Sequence, residues 1–296
     1  MKIVLVAVAV AAAFALPHPA AAAPPAGGST LVVLGDSFAA NAVHWDAAEC
    51  VRGATSWPTQ LSRLLGVAGT PDFLDESCAG AALESETGYT PAREAVEADR
   101  AGGFGPETAL VAIQFGFNDA WGTENPKTLW GSLVSCVYNL LDGCDREAAA
   151  QGRITDFRAV SGAAYAERIE EVVRYVRYYA RQARIVLVGY PELFPPGDTV
   201  CLNVLGAGDF VQPRGGAVTE YLNRLDTAQR EAAALLGIDF LDTRAITAGH
   251  GLCSAEPWAN GTLDPRADLT GIPFHPSARG DAVLAGALYE RYGSGR

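Results

Sequence analysis

Lysine is almost missing from this chain of 296 residues: Lys2 and Lys127 are all it has, and arginine supplies the other cations. Together they number 22 against 34 acids, a formal net charge of −12. So acidic a chain does not suit nucleic acid or an anionic membrane surface as its main partner. No run of like charge forms a tail, and no repeat, low-complexity tract or linker divides the chain. Cys-x-x-Cys is absent. The histidines beyond the N-terminal region, His44, His250 and His275, lack ligand-like spacing, which argues against a zinc site and a metallohydrolase. The Gly-x-Ser-x-Gly elbow of the α/β-hydrolases is absent too, since Ala39 stands where its last glycine would be.

An apolar run able to cross a bilayer is also lacking. Ile3 to Leu16 makes 14 residues, where a spanning helix takes roughly 20. Lys2 precedes that run, and Ala20 to Ala23 and then Pro24-Pro25 follow it. A basic start, an apolar core and small residues at the end predict a secretory signal peptide over residues 1–23, cut between Ala20 and Ala23. Residues 24–29 would be a short tail, and residues 30–296 a single domain able to bury a substantial core. Loss of Lys2 would bring the net charge to −13. In an exported chain the six cysteines, Cys50, Cys78, Cys136, Cys144, Cys201 and Cys253, predict three disulfides, for which 15 connectivities exist. Sequential pairing is the simplest of them.

What the chain does have is an alternation of patterns. Thr30–Leu34, Thr108–Phe115, Arg184–Val188 and Ile238–Leu241 are short apolar runs that predict buried strands, with Phe73–Glu76 a weaker fifth. Between them lie helical stripes. Ser161–Ala180 lines up Ile169, Val172, Val173 and Val176; Thr219–Leu236 stops at Gly237; Ala278–Tyr289 is the last. Strands alternating with helices predict a three-layer α/β/α sandwich around a mostly parallel, flavodoxin-like sheet. Such sheets place their sites beyond the C-terminal strand ends. Residues 120–160, with Trp121, Trp130 and the Asn125-Pro126-Lys127 turn, and residues 191–217, rich in Pro and Gly, fit the core poorly and predict long loops at the site edge.

Three blocks follow the first three predicted strands: Gly35-Asp36-Ser37-Phe38, Cys78-Ala79-Gly80-Ala81 and Gly116-Phe117-Asn118-Asp119. A fourth, His275-Pro276, precedes the last helix. Taken singly, each has a plain structural reading: Ser37 as a helix cap, Gly80 and Asn118 as turn residues. Taken together they bring a hydroxyl, a backbone N–H, a side-chain amide and an imidazole to one sheet edge. Those are the parts for ester cleavage: a nucleophile, a proton acceptor and oxyanion donors.

The blocks and their order resemble the SGNH hydrolases, also called GDSL esterases and lipases, from about Thr30 to the C-terminus. Cys50-x-Arg52, Ser56-Trp57-Pro58, Gly189-Tyr190-Pro191-Glu192-Leu193-Phe194 and Gly249–Cys253 resemble its secreted bacterial branch with three disulfides. The resemblance implies that Ser37 is the nucleophile and His275 its base. It makes Ser37, Gly80 and Asn118 the oxyanion hole, with no metal or organic cofactor. It also implies local pairing: Cys50–Cys78, Cys136–Cys144 and Cys201–Cys253. Many members carry Asp three residues before this histidine; here Ile272 stands there. The expectation is therefore that the Ile272 main-chain carbonyl orients His275, with Asp264 and Asp268 as alternatives. Asp36 is expected to brace the turn, Phe117 to wall an acyl pocket, His250 to be structural, and His44 is a weaker candidate for touching substrate.

The implied protein is a secreted, extracellular, monomeric serine esterase acting on small-molecule or lipid esters, without stable membrane insertion. Two rivals stay open: a carbohydrate acetyl esterase, and a non-catalytic exported binding protein that has kept the fold.

Overall fold

The computed structural model of the protein describes residues 27–43, 49–85, 88–122, 127–204 and 208–293. The predicted leader, the tail as far as residue 26, His44, and Asn125-Pro126 lie outside them. The strands are Leu31–Gly35 (β1), Phe73–Asp75 (β2), Leu110–Gln114 (β3), Arg184–Val188 (β4), Val200–Val204 (β5), Gly208–Gln212 (β6) and Asp239–Leu241 (β7). The helices are Ser37–Ala40 (α1), Trp57–Leu64 (α2), Pro91–Arg100 (α3), Gly162–Tyr179 (α4), Gly216–Leu236 (α5), Thr243–Ile246 (α6) and Ala278–Tyr292 (α7).

Five strands form one parallel sheet in the order β2-β1-β3-β4-β7. Its central strands are apolar on both faces because both faces are covered. Val32 and Leu34 of β1, Val111 and Ile113 of β3, and Ile185 and Leu187 of β4 face one way, onto α3, α4 and α5. Leu31, Val33, Leu110, Ala112, Val186 and Val188 face the other, onto Trp57 and Leu61 of α2 and Leu284, Ala285 and Leu288 of α7. The three-layer α/β/α expectation holds. The five strands and three long helices read from the sequence are present, and Gly237 ends α5 in the left-handed conformation.

The sequence reading passed over α2 and α3. Each is short, with little room for a periodic stripe, and each opens with a proline in its first turn, at Pro58 and Pro91. A threonine or serine before a first-turn proline is itself a start signal; Thr90 indeed caps α3 by accepting the Arg93 N–H. The stretch expected to be loop after residue 191 contains an antiparallel hairpin, β5–β6. The one after residue 120 is built of 3₁₀ turns at Trp130–Ser132, Arg146–Ala148 and Phe157–Ala159, with a π turn at Leu133–Val137. The disulfides join Cys50 to Cys78, Cys136 to Cys144 and Cys201 to Cys253, the local pairing that the resemblance implied. Among the described residues, no helix is long and apolar enough to cross a membrane.

Candidate active site

β1 lies between β2 and β3. The segments leaving these three strands therefore emerge side by side, at the point where the chain crosses from one side of β1 to the other. Ser37 comes first after β1. The Asp36 side chain accepts the Phe38 N–H at 2.8 Å and caps α1, so Ser37 begins the helix with its hydroxyl half-exposed. The second Asp36 oxygen accepts the Tyr190 hydroxyl, which in turn accepts the Phe117 N–H at 3.1 Å. Burial pushes the Asp36 carboxyl up to about 7 against those stabilising bonds. Below it, the buried Glu94 of α3 accepts the Gly35 N–H at 2.7 Å, and burial raises its pKa well above the ordinary value. The Ser37 turn thus rests on two buried carboxyls. Asp36 braces the turn as expected; Glu94 was not singled out, because its charge reads as a solvated helix position.

Gly80 and Asn118 meet through the next two segments. The Asn118 amide donates one N–H to the Ala81 carbonyl at 2.9 Å and accepts the Trp130 indole N–H at 2.8 Å. That indole fixes the amide's orientation, since only the oxygen can accept, and leaves the second amide N–H for the pocket. Asp119, buried, accepts the Leu83 and Glu84 N–H groups and clamps the Gly80 segment to the end of β3. Gly80 itself has φ +82° and nothing within 4 Å of where a Cβ would stand, so its backbone is open to an incoming ligand. Among the described residues, neither the Gly80 nor the Ser37 N–H has an acceptor.

His275 reaches this edge from the far end of the chain. Its Nε2 lies 2.8 Å from the Ser37 Oγ, and its Nδ1 lies 2.9 Å from the Pro273 carbonyl oxygen. A carbonyl can only accept, so Nδ1 carries the proton and Nε2 is the free base facing the serine hydroxyl. Burial of the ring lowers its pKa from 6.5 to about 4, opposed by the Pro273 bond. The ring is stacked on Phe38, with centroids 4.4 Å apart, and faces Trp130 at 5.9 Å with planes 9° apart.

Two expectations need correction. The Ile272 carbonyl does not face the imidazole; it accepts the His275 backbone N–H at 3.2 Å. The chain turns tightly enough before His275, through the positive φ of Phe274, that the carbonyl reaching Nδ1 comes two residues back rather than three. Asp264 is held by Arg266, and Asp268 accepts the Ala278 N–H at the start of α7, so neither faces the ring. Phe117 is not among the residues lining the Ser37 pocket; it is buried behind Trp130, against Phe38 and Tyr190, where with Leu193 and Phe274 it walls a small apolar cavity. His250 stacks on Trp258 with centroids 3.5 Å apart, a structural place. The Cys201 and Cys253 sulfurs lie beside Asp209, but as a disulfide they offer no thiolate to a metal.

Two residues that sequence reasoning left out hold the histidine loop. Asn41, which ends α1 in the left-handed conformation, donates to Asp281 at 2.6 Å and to the Pro276 carbonyl at 2.9 Å. Asn260 pairs with the loop through the Phe274 and His275 main chain and also donates to Pro276. Ser37, Ala79, Gly80, Asn118, Trp130, Ile272 and His275 then line one open pocket of about 410 Å³.

A serine hydroxyl bonded to a neutral imidazole, with amide donors around the same pocket on a parallel α/β sheet, defines a serine-hydrolase type of site. Residues 33–283 match the GDSL-like Lipase/Acylhydrolase family, and the chain belongs to it. It is a carboxylic ester hydrolase. Over 278 residues it is 27% identical to Lipase 1 of Streptomyces coelicolor, covering 90% of each chain. It is also similar to phospholipase A1 from Streptomyces albidoflavus NA297 (23% identity, TM-score 0.63, 90% of this chain and 100% of that one). A third relative is the extracellular lipase of Streptomyces rimosus (22%, TM-score 0.61, 88% and 100%). These two structures share its fold.

Proposed function

We propose that this protein is an exported, monomeric esterase that cleaves acyl-lipid esters through a Ser37–His275 acyl-enzyme mechanism. The observation that carries the reading is the 2.8 Å contact between the Ser37 Oγ and the unprotonated His275 Nε2 on the wall of an open pocket. His275 takes the serine proton as Oγ attacks the ester carbonyl. The Gly80 and Ser37 N–H groups and the free Asn118 amide N–H hold the oxyanion. His275 then gives its proton to the leaving alcohol and afterwards activates the water that releases the acid. The Pro273 carbonyl keeps the tautomer in place and steadies the imidazolium as it forms, without a full negative charge.

Trp130, Ile272 and Ala79 give the pocket apolar walls suited to an acyl chain, and Streptomyces relatives named for lipase and phospholipase A1 activity point the same way. Export is supported by the signal-like N-terminus and the three disulfides; N-terminal sequencing of protein recovered from culture medium should begin between residues 21 and 23. Labelling with a fluorophosphonate should modify Ser37, and an inert serine would favour the binding-protein rival. A panel of nitrophenyl esters from acetyl to palmitoyl tests the substrate: turnover of longer acyl chains is expected, and activity on acetyl alone would give the carbohydrate acetyl esterase reading instead.

A further inference from the structure

The segment that begins at Trp130 ends in a feature the catalytic chemistry does not use. The Cys136–Cys144 disulfide closes a loop whose tip is Leu140-Leu141, 56% and 90% exposed. Val134, Tyr138 and Val211 are also exposed nearby in chain and hairpin, and the Tyr138 ring packs on Phe210 of β6 at 5.3 Å, joining loop to hairpin. Bare leucines on a surface are ordinary one at a time. A rigid tip carrying two in succession, beside further apolar side chains, is not.

The main chain under those leucines is satisfied from within. The Leu140 N–H donates to the Tyr138 carbonyl, and the Leu141 and Asp142 N–H groups donate to Asn139 Oδ1 at 3.2 and 3.0 Å. The Leu140 and Leu141 carbonyls both accept from the Arg214 guanidinium, at 2.8 and 2.7 Å. Gln212 takes the Val137 and Asn139 carbonyls, and Arg153 takes that of Gly143. Tight loops in water are often bonded this way as well. The same bonds also meet what contact with a water-free phase requires, since each stranded backbone group would oppose it.

Charge narrows the occupant. Around the loop, Lys127, Arg146, Arg153 and Arg214 stand with Asp142, Asp145, Asp198 and Asp209, so neither sign prevails, within a chain of net charge −12. An anionic surface would repel the molecule as a whole; a zwitterionic or neutral one would not. Continuity gives the reason for docking there: Trp130, at the start of the same segment, lines the Ser37 pocket. We propose that the disulfide-closed loop with Leu140 and Leu141 at its tip is the docking surface of this enzyme for aggregated zwitterionic or neutral ester lipid, the phase that holds its substrate. The inference rests on the acyl-lipid reading of the pocket.

The test uses the full mature chain carrying Ser37→Ala, so that lipid is bound and not consumed, with sucrose-loaded vesicles of phosphatidylcholine. This protein should sediment with the vesicles. The double variant Leu140→Ser/Leu141→Ser should bind at least tenfold more weakly, and Leu141→Ser alone should fall between. Both should keep the parent unfolding midpoint; should the double variant not keep it, Leu141→Ser decides by itself. Leu235→Ser, which removes a leucine 66% exposed on α5, should bind like the parent. No vesicle binding by the parent, equal binding by the loop variants, or equal loss on Leu235→Ser would overturn the proposal. So would a parent dimer in sedimentation velocity that the loop variants abolish, which would make the patch a contact between copies. Hydrolysis of long-chain nitrophenyl esters by the native enzyme tests the acyl-lipid reading separately from docking.

Discussion

The two halves of the proposed catalytic pair, Ser37 and His275, are held by opposite means. Ser37 sits on a four-residue helix directly after a central strand, above two buried carboxyls, a tyrosine hydroxyl and the β1–β3 ladder. His275 sits on irregular chain after the last strand, held by main-chain carbonyls and two asparagines, with no carboxylate of the described residues against its ring. The acids that many serine enzymes place behind the histidine here lie under the serine turn instead. The contrast separates two tasks. The nucleophile needs a fixed backbone, which a buried network provides. The base needs a tautomer and a ring orientation, and one neutral carbonyl provides both.

The sharpest test removes either half. Ser37→Ala and His275→Ala should each lower kcat by about 10⁴-fold or more, and the double variant should be hardly worse than either. Additive losses would mean the two do not work as one unit. Asn118→Ala should cost about 10²–10³ in kcat with the fold intact; an effect under tenfold would remove Asn118 from the oxyanion hole. Asn41→Ala cuts the bridge between the halves and leaves the buried Asp281 short of a donor. Chemical denaturation should show a loss of about 1–3 kcal/mol, together with a drop in kcat. Unchanged kcat would show that the histidine loop holds itself.

Acidity separates the two sides in sign. Burial raises Asp36 to about 7, and Asp75 and Asp119 to about 6. Each therefore favours the folded state at low pH, an advantage lost as pH climbs through those values. His275, lowered to about 4, does the reverse: the unfolded chain takes up its proton first, so the ring costs stability as pH falls from 6.5 toward 4. Three carboxyls outweigh one imidazole, and thermal unfolding should occur at higher temperature at pH 5 than at pH 8. kcat/KM should hold as pH falls until its acid limb near pH 4; a limb near pH 7 would mean that burial does not depress the ring or that Asp36 titrates in the profile. The smallest expected effect is on Asp264→Asn and Asp268→Asn. Neither carboxylate faces His275, so kcat should stay within about threefold, since no transition-state charge is lost. A loss of several hundred-fold at either would restore a carboxylate to the base side.

The legible parts of this molecule are those whose signal is local. The strand runs, the α4 and α5 stripes and the four site blocks carry their patterns within a few residues, so Ser37, Gly80, Asn118 and His275 could be singled out before any coordinates. Trp130, Asn41, Asn260 and Glu94 could not. Each works through a partner brought near by folding, Asn41 to Asp281 being the extreme, and an isolated asparagine, tryptophan or glutamate carries no mark of its partner. The Ile272 expectation failed for a related reason: a rule of spacing cannot foresee that Phe274 adopts a left-handed backbone and shifts the carbonyl by one.

The bridge from Asn41 to the start of α7 has a temporal meaning as well. A polypeptide that leaves the ribosome N-terminus first carries Ser37 well before His275, the base of the proposed mechanism, which follows some 240 residues later. On that mechanism, partial chains that stop short of His275 should be silent toward esters, and hydrolysis should begin only when the two distant segments have closed on each other.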